Sequence, residues 1–253
     1  ALARPGPDNV GRALPRGGGL AIVLVVGVAA GAVAWLAPDL RPAILAWLLP
    51  AAAVAAVSLR DDFRPLPAVL RLVVHAVAAV AFVAAVGPVP EITIGGLGPV
   101  SLGPAAWPLA VLWLVGMTNA FNFMDGIDGI AGITAAAAGA SVAIAADVAG
   151  CQGMAVVAGV FAAAALGFLS SNWPPAKVFM GDVGSTFCGF TLAAIPLVVS
   201  PAERGAVLLA AALAMWPFVF DAATTLIKRI ARRENILEAH RGHLYQRLVI
   251  AGW

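Results

Sequence analysis

LAIVLVVGVAAGAVAWL, residues 20–36, carries no charged side chain. Coiled as a helix, a run of this length comes close to spanning the roughly 30 Å hydrocarbon core of a bilayer. Similar runs recur along the chain at 43–59, 68–86, 105–121, 130–149, 154–171, 184–200 and 205–227, separated by short polar segments. Hydrophobic residues fill 62% of the 253 positions and charged residues 11%, against roughly half and about a quarter in soluble domains. A water-soluble fold cannot hide that much apolar surface. The sequence therefore predicts an all-α, polytopic transmembrane helical bundle of about eight spans, read as one domain over residues 1–253. The lipid bilayer is the expected partner, and nucleic acid is not. The polar opening, ALARPGPDNVGRALPRGGG, lacks the layout of a signal peptide.

Residues 87–104, GPVPEITIGGLGPVSLGP, alternate in short runs around Gly-Gly and read as a small external β-hairpin. Pro50, Pro196 and Pro217 are expected to kink their helices. Cys151 and Cys188 fall near opposite ends of their spans, too far apart to pair.

Orientation follows from the basic residues, because Lys and Arg concentrate in cytoplasmic loops. With eight spans both termini share a side, and 13 of the 15 Lys and Arg residues fall there. Arg41 and Arg204 alone fall on the other. The terminal side is thus read as cytoplasmic.

The acidic motifs test this topology, which was drawn without them. Asp61 and Asp62 follow the second span, NAFNFMDGIDG (119–129) joins the fourth and fifth, KVFMGDVGS (177–185) joins the sixth and seventh, and HRGHLYQR (240–247) follows the eighth. All fall on the basic side. A one-sided acidic cluster within a basic surface suggests a divalent cation and a phosphorylated substrate.

Each motif has a chemical and a bland reading. Adjacent aspartates at a helix end point about 100° apart, so one can approach a metal while the other orients it or takes a proton; a solvated helix-end pair is the alternative. Asn119, Asn122, Asp125 and Asp128 recur every three positions, and on an unbroken helix they would drift through about half a turn. Gly126 and Gly129 let the chain leave the helix, so these groups can converge on a ligand. Helix capping would account for one or two of the four. Gly181 and Gly184 flank Asp182, which permits close approach of a phosphate and its metal. Oxygen donors of this kind suit Mg²⁺ or Mn²⁺, and no Cys/His cluster argues for zinc. His240 and His243 bracket Arg241, a group suited to gripping a diphosphate, with a positive-inside anchor as the alternative. Arg71, His75 and Asp221 lie inside spans, where ionisable groups are costly and mark paired or functional sites.

Taken together, PRGGGLAI (15–22), DDFRPLP (61–67), NAFNFMDGIDGIAG (119–132), VFMGDVGS (178–185) and HRGHLYQRL (240–248) resemble the polyprenyl-phosphate N-acetylhexosamine-1-phosphate transferases, glycosyltransferase family 4. That family includes initiators of O-antigen and teichoic-acid linkage synthesis and the phospho-MurNAc-pentapeptide translocase. The resemblance implies transfer of a sugar-1-phosphate, GlcNAc-1-phosphate first, from a UDP-N-acetylhexosamine to undecaprenyl or another polyprenyl phosphate. It implies an Mg²⁺ ion held by Asp182 and Asn122, with Mn²⁺ as a substitute. Asp61 and Asp62 match residues that deprotonate or orient the lipid phosphate, which with Asp182 makes the catalytic set. Asp125, Asp128 and Phe179 match the nucleotide pocket, with Asn119 and Asn122 beside it, and His240, Arg241 and His243 the sugar-phosphate contact. A bacterial-type inner membrane and a homodimer are part of the same expectation. The chain departs from the family in starting at the PRGGG loop and stopping at LVIAGW, so it is read as lacking one earlier and some later spans, and in having His75 where glutamine is common.

The HRGHLYQRL form favours the O-antigen and teichoic-acid initiators over the MurNAc-pentapeptide enzyme, whose loop is a run of histidines. A cation-coupled transporter is disfavoured because the acids gather at one face instead of crossing mid-membrane. A truncated, non-catalytic homologue is the third alternative. Single cysteines placed beside Asp61, Asp125, Asp182 and His240, in a chain without Cys151 and Cys188, should all react with a reagent confined to the cytoplasm. Labelling of any one from outside would overturn the shared face.

Overall fold

A computed structural model of the chain describes residues 14–94, 98–235 and 242–252. Among the described residues ten α-helices form the architecture: α1 Gly19–Leu36, α2 Arg41–Phe63, α3 Ala68–Val86, α4 Ala106–Met124, α5 Ile130–Val148, α6 Gln152–Asn172, α7 Gly181–Val198, α8 Arg204–Ala214, α9 Trp216–Ala231 and α10 Leu244–Ile250. Strands β1 Glu91–Ile94 and β2 Gly98–Ser101 form the expected hairpin, antiparallel, with Glu91 opposite Ser101 and Ile92 opposite Val100.

Helices α1 to α7 are each long and apolar enough to cross a membrane. The eighth expected span is instead a bent pair, α8 and α9, meeting at 74°. Pro217 stands in the first turn of α9, where its missing N–H cannot continue the ladder of α8. Helices α2 and α7, by contrast, run on through Pro50 and Pro196.

Helix α7 is the centre of the bundle: every residue from Val183 to Leu197 is buried. Around it, glycines on α1 and on α7 itself let the backbones meet closely. A Cβ on Gly19 would come 2.3 Å from the Gly184 Cα, and one on Gly189 would come 2.6 Å from the Met117 carbonyl oxygen. The Trp113 indole donates across α4 and α7 to the Ala193 carbonyl at 3.1 Å, and Thr186 of α7 donates to Ser58 of α2 at 2.8 Å. Outward-facing side chains such as Val28, Leu112, Ile144 and Val148 are exposed and apolar, the surface a lipid environment accepts and water does not.

The two ends of the bundle differ. At the hairpin end, buried Arg204 donates to the Val86, Gly87 and Pro88 carbonyls at 2.7, 3.2 and 2.9 Å, satisfying acceptors that the end of α3 leaves without helical partners. At the other end the acidic loops meet. Replacing Gly184 by Ile drives a branched side chain into α1, and overpacking of this kind costs about 1–3 kcal/mol or more. Gly27→Ile enters open space, so thermal unfolding in detergent should fall for Gly184→Ile and hold for Gly27→Ile.

Candidate active site

The site starts from the N-terminus of α7, whose first N–H groups have no partner within the helix. Asp62, at the end of α2, reaches across and accepts from the backbone N–H of Asp182 at 2.9 Å and of Val183 at 3.0 Å. Gly181 makes this approach feasible. It adopts φ +76°, and a Cβ there would lie 2.9 Å from an Asp62 carboxylate oxygen. Asp62 itself is buried, and a carboxylate at this position also meets the positive end of the helix dipole.

Asp61 points differently. It accepts from the Leu66 N–H and from Arg71 Nη1 at 2.7 Å, and the same Nη1 donates to Asp182 at 3.0 Å. One guanidinium nitrogen on α3 thus joins the acidic ends of α2 and α7. Ser185, one turn into α7, donates to the Asn122 side-chain oxygen at 2.8 Å, bringing the end of α4 against the same turn. Asn119 lies a turn back along α4 and donates to the Val115 carbonyl at 2.7 Å.

The loop after α4 supplies the next two acids. Asp125 ends α4, and its carboxyl is pushed up to about 7, chiefly by burial and then by the Asp182 and Asp62 carboxylates, against an opposing effect of Arg16. Asp128 accepts from the Ala176 N–H at 2.8 Å, tying the loop after α4 to the loop after α6. Asn172 completes the tie: it accepts from the Gly129 N–H and donates to the Val178 carbonyl, each at 2.9 Å. Phe179 is half-buried and pairs through its backbone with the segment before α1, donating to the Pro15 carbonyl and accepting from Gly18, both at 3.0 Å.

The last motif is held from within α9. Buried Asp221 accepts from the N–H groups of Leu244 at 2.8 Å and Tyr245 at 3.1 Å, from Thr225 at 3.1 Å, and pairs with His243 Nδ1 at 3.2 Å. Tyr245, its hydroxyl pushed up to about 12 by burial, donates to the Phe123 carbonyl at 3.1 Å. His243 is thereby brought to the end of α4. His240 and Arg241 lie outside the described residues.

A cleft of about 880 Å³ runs from this constellation between α3, α4 and α9. Its inner end carries Arg71, Asp182, Asn122 and His243, while Leu72, Leu109, Leu112 and Leu226 line its length. The structure thus gathers Asp61, Asp62, Asp182, Asn119, Asn122, Asp125 and His243 at one end of the bundle, with Asp128 and Phe179 on the adjoining loops.

Three residues not assigned a role from sequence organise this end. Ser185 fixes Asn122, Asn172 ties two loops, and Asp221 holds α10. Asp221 was legible as an ionisable group inside a span, the mark of a paired or functional site, whereas nothing in the sequence singled out Asn172. Among the described residues no three His, Cys, Asp or Glu side chains form a ready-made metal cage. The oxygen donors of Asp182 and Asn122 nevertheless suit Mg²⁺, which is commonly held by one or two side chains together with substrate phosphates.

With this geometry in view, the chain's relatives are informative. The sequence profile of glycosyl transferase family 4 matches residues 44–200, from α2 through α7. The chain belongs to glycosyl transferase family 4. It is 31% identical over 153 residues to a probable undecaprenyl-phosphate N-acetylglucosaminyl 1-phosphate transferase of Bacillus subtilis, an alignment covering 60% of this chain and 42% of that protein. To the phospho-N-acetylmuramoyl-pentapeptide-transferase of a Synechococcus strain it is 36% identical over 129 residues, 49% of this chain and 37% of the relative. To that of Streptococcus pneumoniae it is 42% identical over 101 residues, 40% and 31%. The chain therefore spans less than half the length of each of these three relatives.

Asp62→Ala leaves two backbone N–H groups of α7 without their acceptor, at about 1–3 kcal/mol for each buried group. Unfolding in detergent should shift to clearly lower temperature than for Asp61→Ala. Equal midpoints would refute the assignment of Asp62 to the α7 terminus.

Proposed function

We propose that this chain transfers N-acetylhexosamine-1-phosphate, GlcNAc-1-phosphate in the first instance, from a UDP-sugar to undecaprenyl or another polyprenyl phosphate, at the cytoplasmic face of a bacterial-type inner membrane. The observation that carries this reading is the cleft, whose apolar walls lead to one guanidinium set between two carboxylates. An amphiphile with a long hydrocarbon tail and an anionic head fits that gradient. The relatives named for undecaprenyl phosphate and for phospho-N-acetylmuramoyl-pentapeptide supply the chemical class.

A lipid phosphate oxygen attacks the β-phosphorus of the UDP-sugar. One P–O bond forms there as the bond to the bridging oxygen breaks, and UMP departs with that oxygen. A phosphate monoester has its second pKa near 6, so at neutral pH the attacking group is already largely dianionic. Asp61 is then best employed in holding Arg71 toward the incoming phosphate, since little proton remains to be removed. Asp62 keeps the first turn of α7 in place and with it the direction of Asp182. Asp182 and Asn122 would hold Mg²⁺ or Mn²⁺, which when bound offsets diphosphate charge and aids the leaving group. Phe179 supplies a face for the uracil ring, Asp125 and Asp128 flank it, and His243 faces the sugar-phosphate, a role that the sequence motif extends to His240 and Arg241. Bringing two anionic substrates into register accounts for much of the remaining rate.

Release of UMP should require both polyprenyl phosphate and a UDP-N-acetylhexosamine, and a panel of UDP-sugars should rank UDP-GlcNAc above UDP-MurNAc-pentapeptide. Excess chelator should stop turnover, and Asp182→Asn should lower it about a hundredfold or more while the protein still folds. Phe179→Ala should raise the KM for the UDP-sugar about tenfold, the equivalent of about 1.4 kcal/mol. No UMP release in any combination, or full turnover in chelator, would count against the transferase and the metal respectively.

A further inference from the structure

His75 stands one turn beyond Arg71 on α3 and is 2% exposed. Neither of its ring nitrogens meets a hydrogen-bond partner. The Asn119 side chain lies beside the ring; its Nδ2 goes to the Val115 carbonyl at 2.7 Å, which leaves its amide oxygen as the protein acceptor that a ligand at His75 replaces. Among the described residues Trp47, Thr191 and Arg229 also bury an unpartnered polar atom. Trp47 and Thr191 are packed between helices, whereas His75 and Arg229 border the cleft.

A buried polar group without a partner is destabilising, and in a membrane span an ionisable side chain is costlier still. Such a ring is accounted for if its partner is brought by a ligand. Its depth narrows what that ligand is. Seven residues into α3, it lies about 10 Å along the helix from Ala68 and about 6 Å beyond Arg71. The loops carrying Asp125, Asp128 and Phe179 are all at the bundle's end. A nucleotide held there does not reach back along the apolar walls, but an amphiphile occupying those walls brings its head past His75. Neutral imidazole offers one N–H donor, and a phosphate monoester offers acceptor oxygens.

We infer that His75 donates a hydrogen bond to the phosphate of the acceptor lipid and, with Arg71, sets the position of that phosphate before attack. The inference rests on the transferase reading above and adds to it an acceptor-binding residue. His75 holds the phosphate at the boundary where the cleft changes from apolar to charged. Arg71 supplies charge and His75 supplies direction.

The test uses the full chain in detergent, with farnesyl phosphate and farnesol as probes in calorimetry and with KM and kcat measured for both substrates. His75→Leu keeps the bulk and removes the donor, whereas His75→Gln keeps a donor. His75→Leu should bind farnesyl phosphate about tenfold more weakly than the wild type, a loss fitting one hydrogen bond to a charged group. His75→Gln should recover most of that affinity. Farnesol binding and the KM for the UDP-sugar should be unchanged in both. If His75→Leu folds poorly, His75→Met makes the same comparison. Undiminished farnesyl phosphate affinity without the donor would overturn the inference, as would an equal loss of farnesol binding, which marks packing alone. A wild-type chain that binds farnesyl phosphate no better than farnesol would remove the transferase reading as well.

Discussion

The grip of the Asp62 carboxylate on the first turn of α7 is the constraint from which the rest of the site is built. Helix α7 is enclosed by its neighbours from Val183 onward, so its N-terminal N–H groups find little water and are best satisfied by acceptors in the protein. Asp62 provides them with both oxygens. That contact locks α2 to α7, and only then does Arg71 fall between Asp61 and Asp182, and Ser185 against Asn122. The same device recurs where Asp221 gathers the N-terminus of α10. In both places a carboxylate is used as a backbone acceptor at the edge of an apolar bundle, which leaves its neighbours to meet substrate.

The fold was largely legible in the sequence because apolar runs in a membrane protein have few alternatives. Without water, a spanning backbone must satisfy itself as a helix, so hydropathy alone placed seven spans to within a few residues. The eighth is legible as a span but not as a sharply bent one, since a proline announces a break without fixing the angle, which depends on what the second half packs against. The candidate site was legible in its membership more than in its division of labour. Asp61 and Asp62 are chemically identical and adjacent in sequence, yet one turns to a guanidinium and the other to two backbone amides. That difference is set by α7, more than a hundred residues away. Asn172 and Ser185 escaped notice for the same reason: their partners are distant, and nothing local distinguishes them from ordinary polar residues near a helix end.

Electrostatically the site is arranged as an unfinished cluster. Asp61, Asp62, Asp125 and Asp182 face Arg71 and Arg16, and the upward displacement of Asp125 comes first from burial and then from the neighbouring Asp182 and Asp62 carboxylates. A surplus of this sign is suited to cationic company, and repels bare phosphates unless a positive group accompanies them. Arg71 is the protein's own contribution to that balance, and it is partly exposed toward the cleft. Specificity of this type penalises an anion that arrives alone.

The 74° break between α8 and α9 has a consequence for how concentration is felt. The bend sets α9 against α4, where Phe218 meets Phe121, and the cleft beside them is walled by Leu109, Leu112 and Leu226, side chains that are also exposed. A molecule sliding in from the side leaves most of its tail behind it, so the length of that tail is not measured beyond the part the cleft holds. Under the proposed transferase reading, its supply would be governed by abundance per unit area of the sheet in which both molecules diffuse, and that of a nucleotide by amount per unit volume. On that reading, two partners counted in different dimensions would meet at one pair of helix ends.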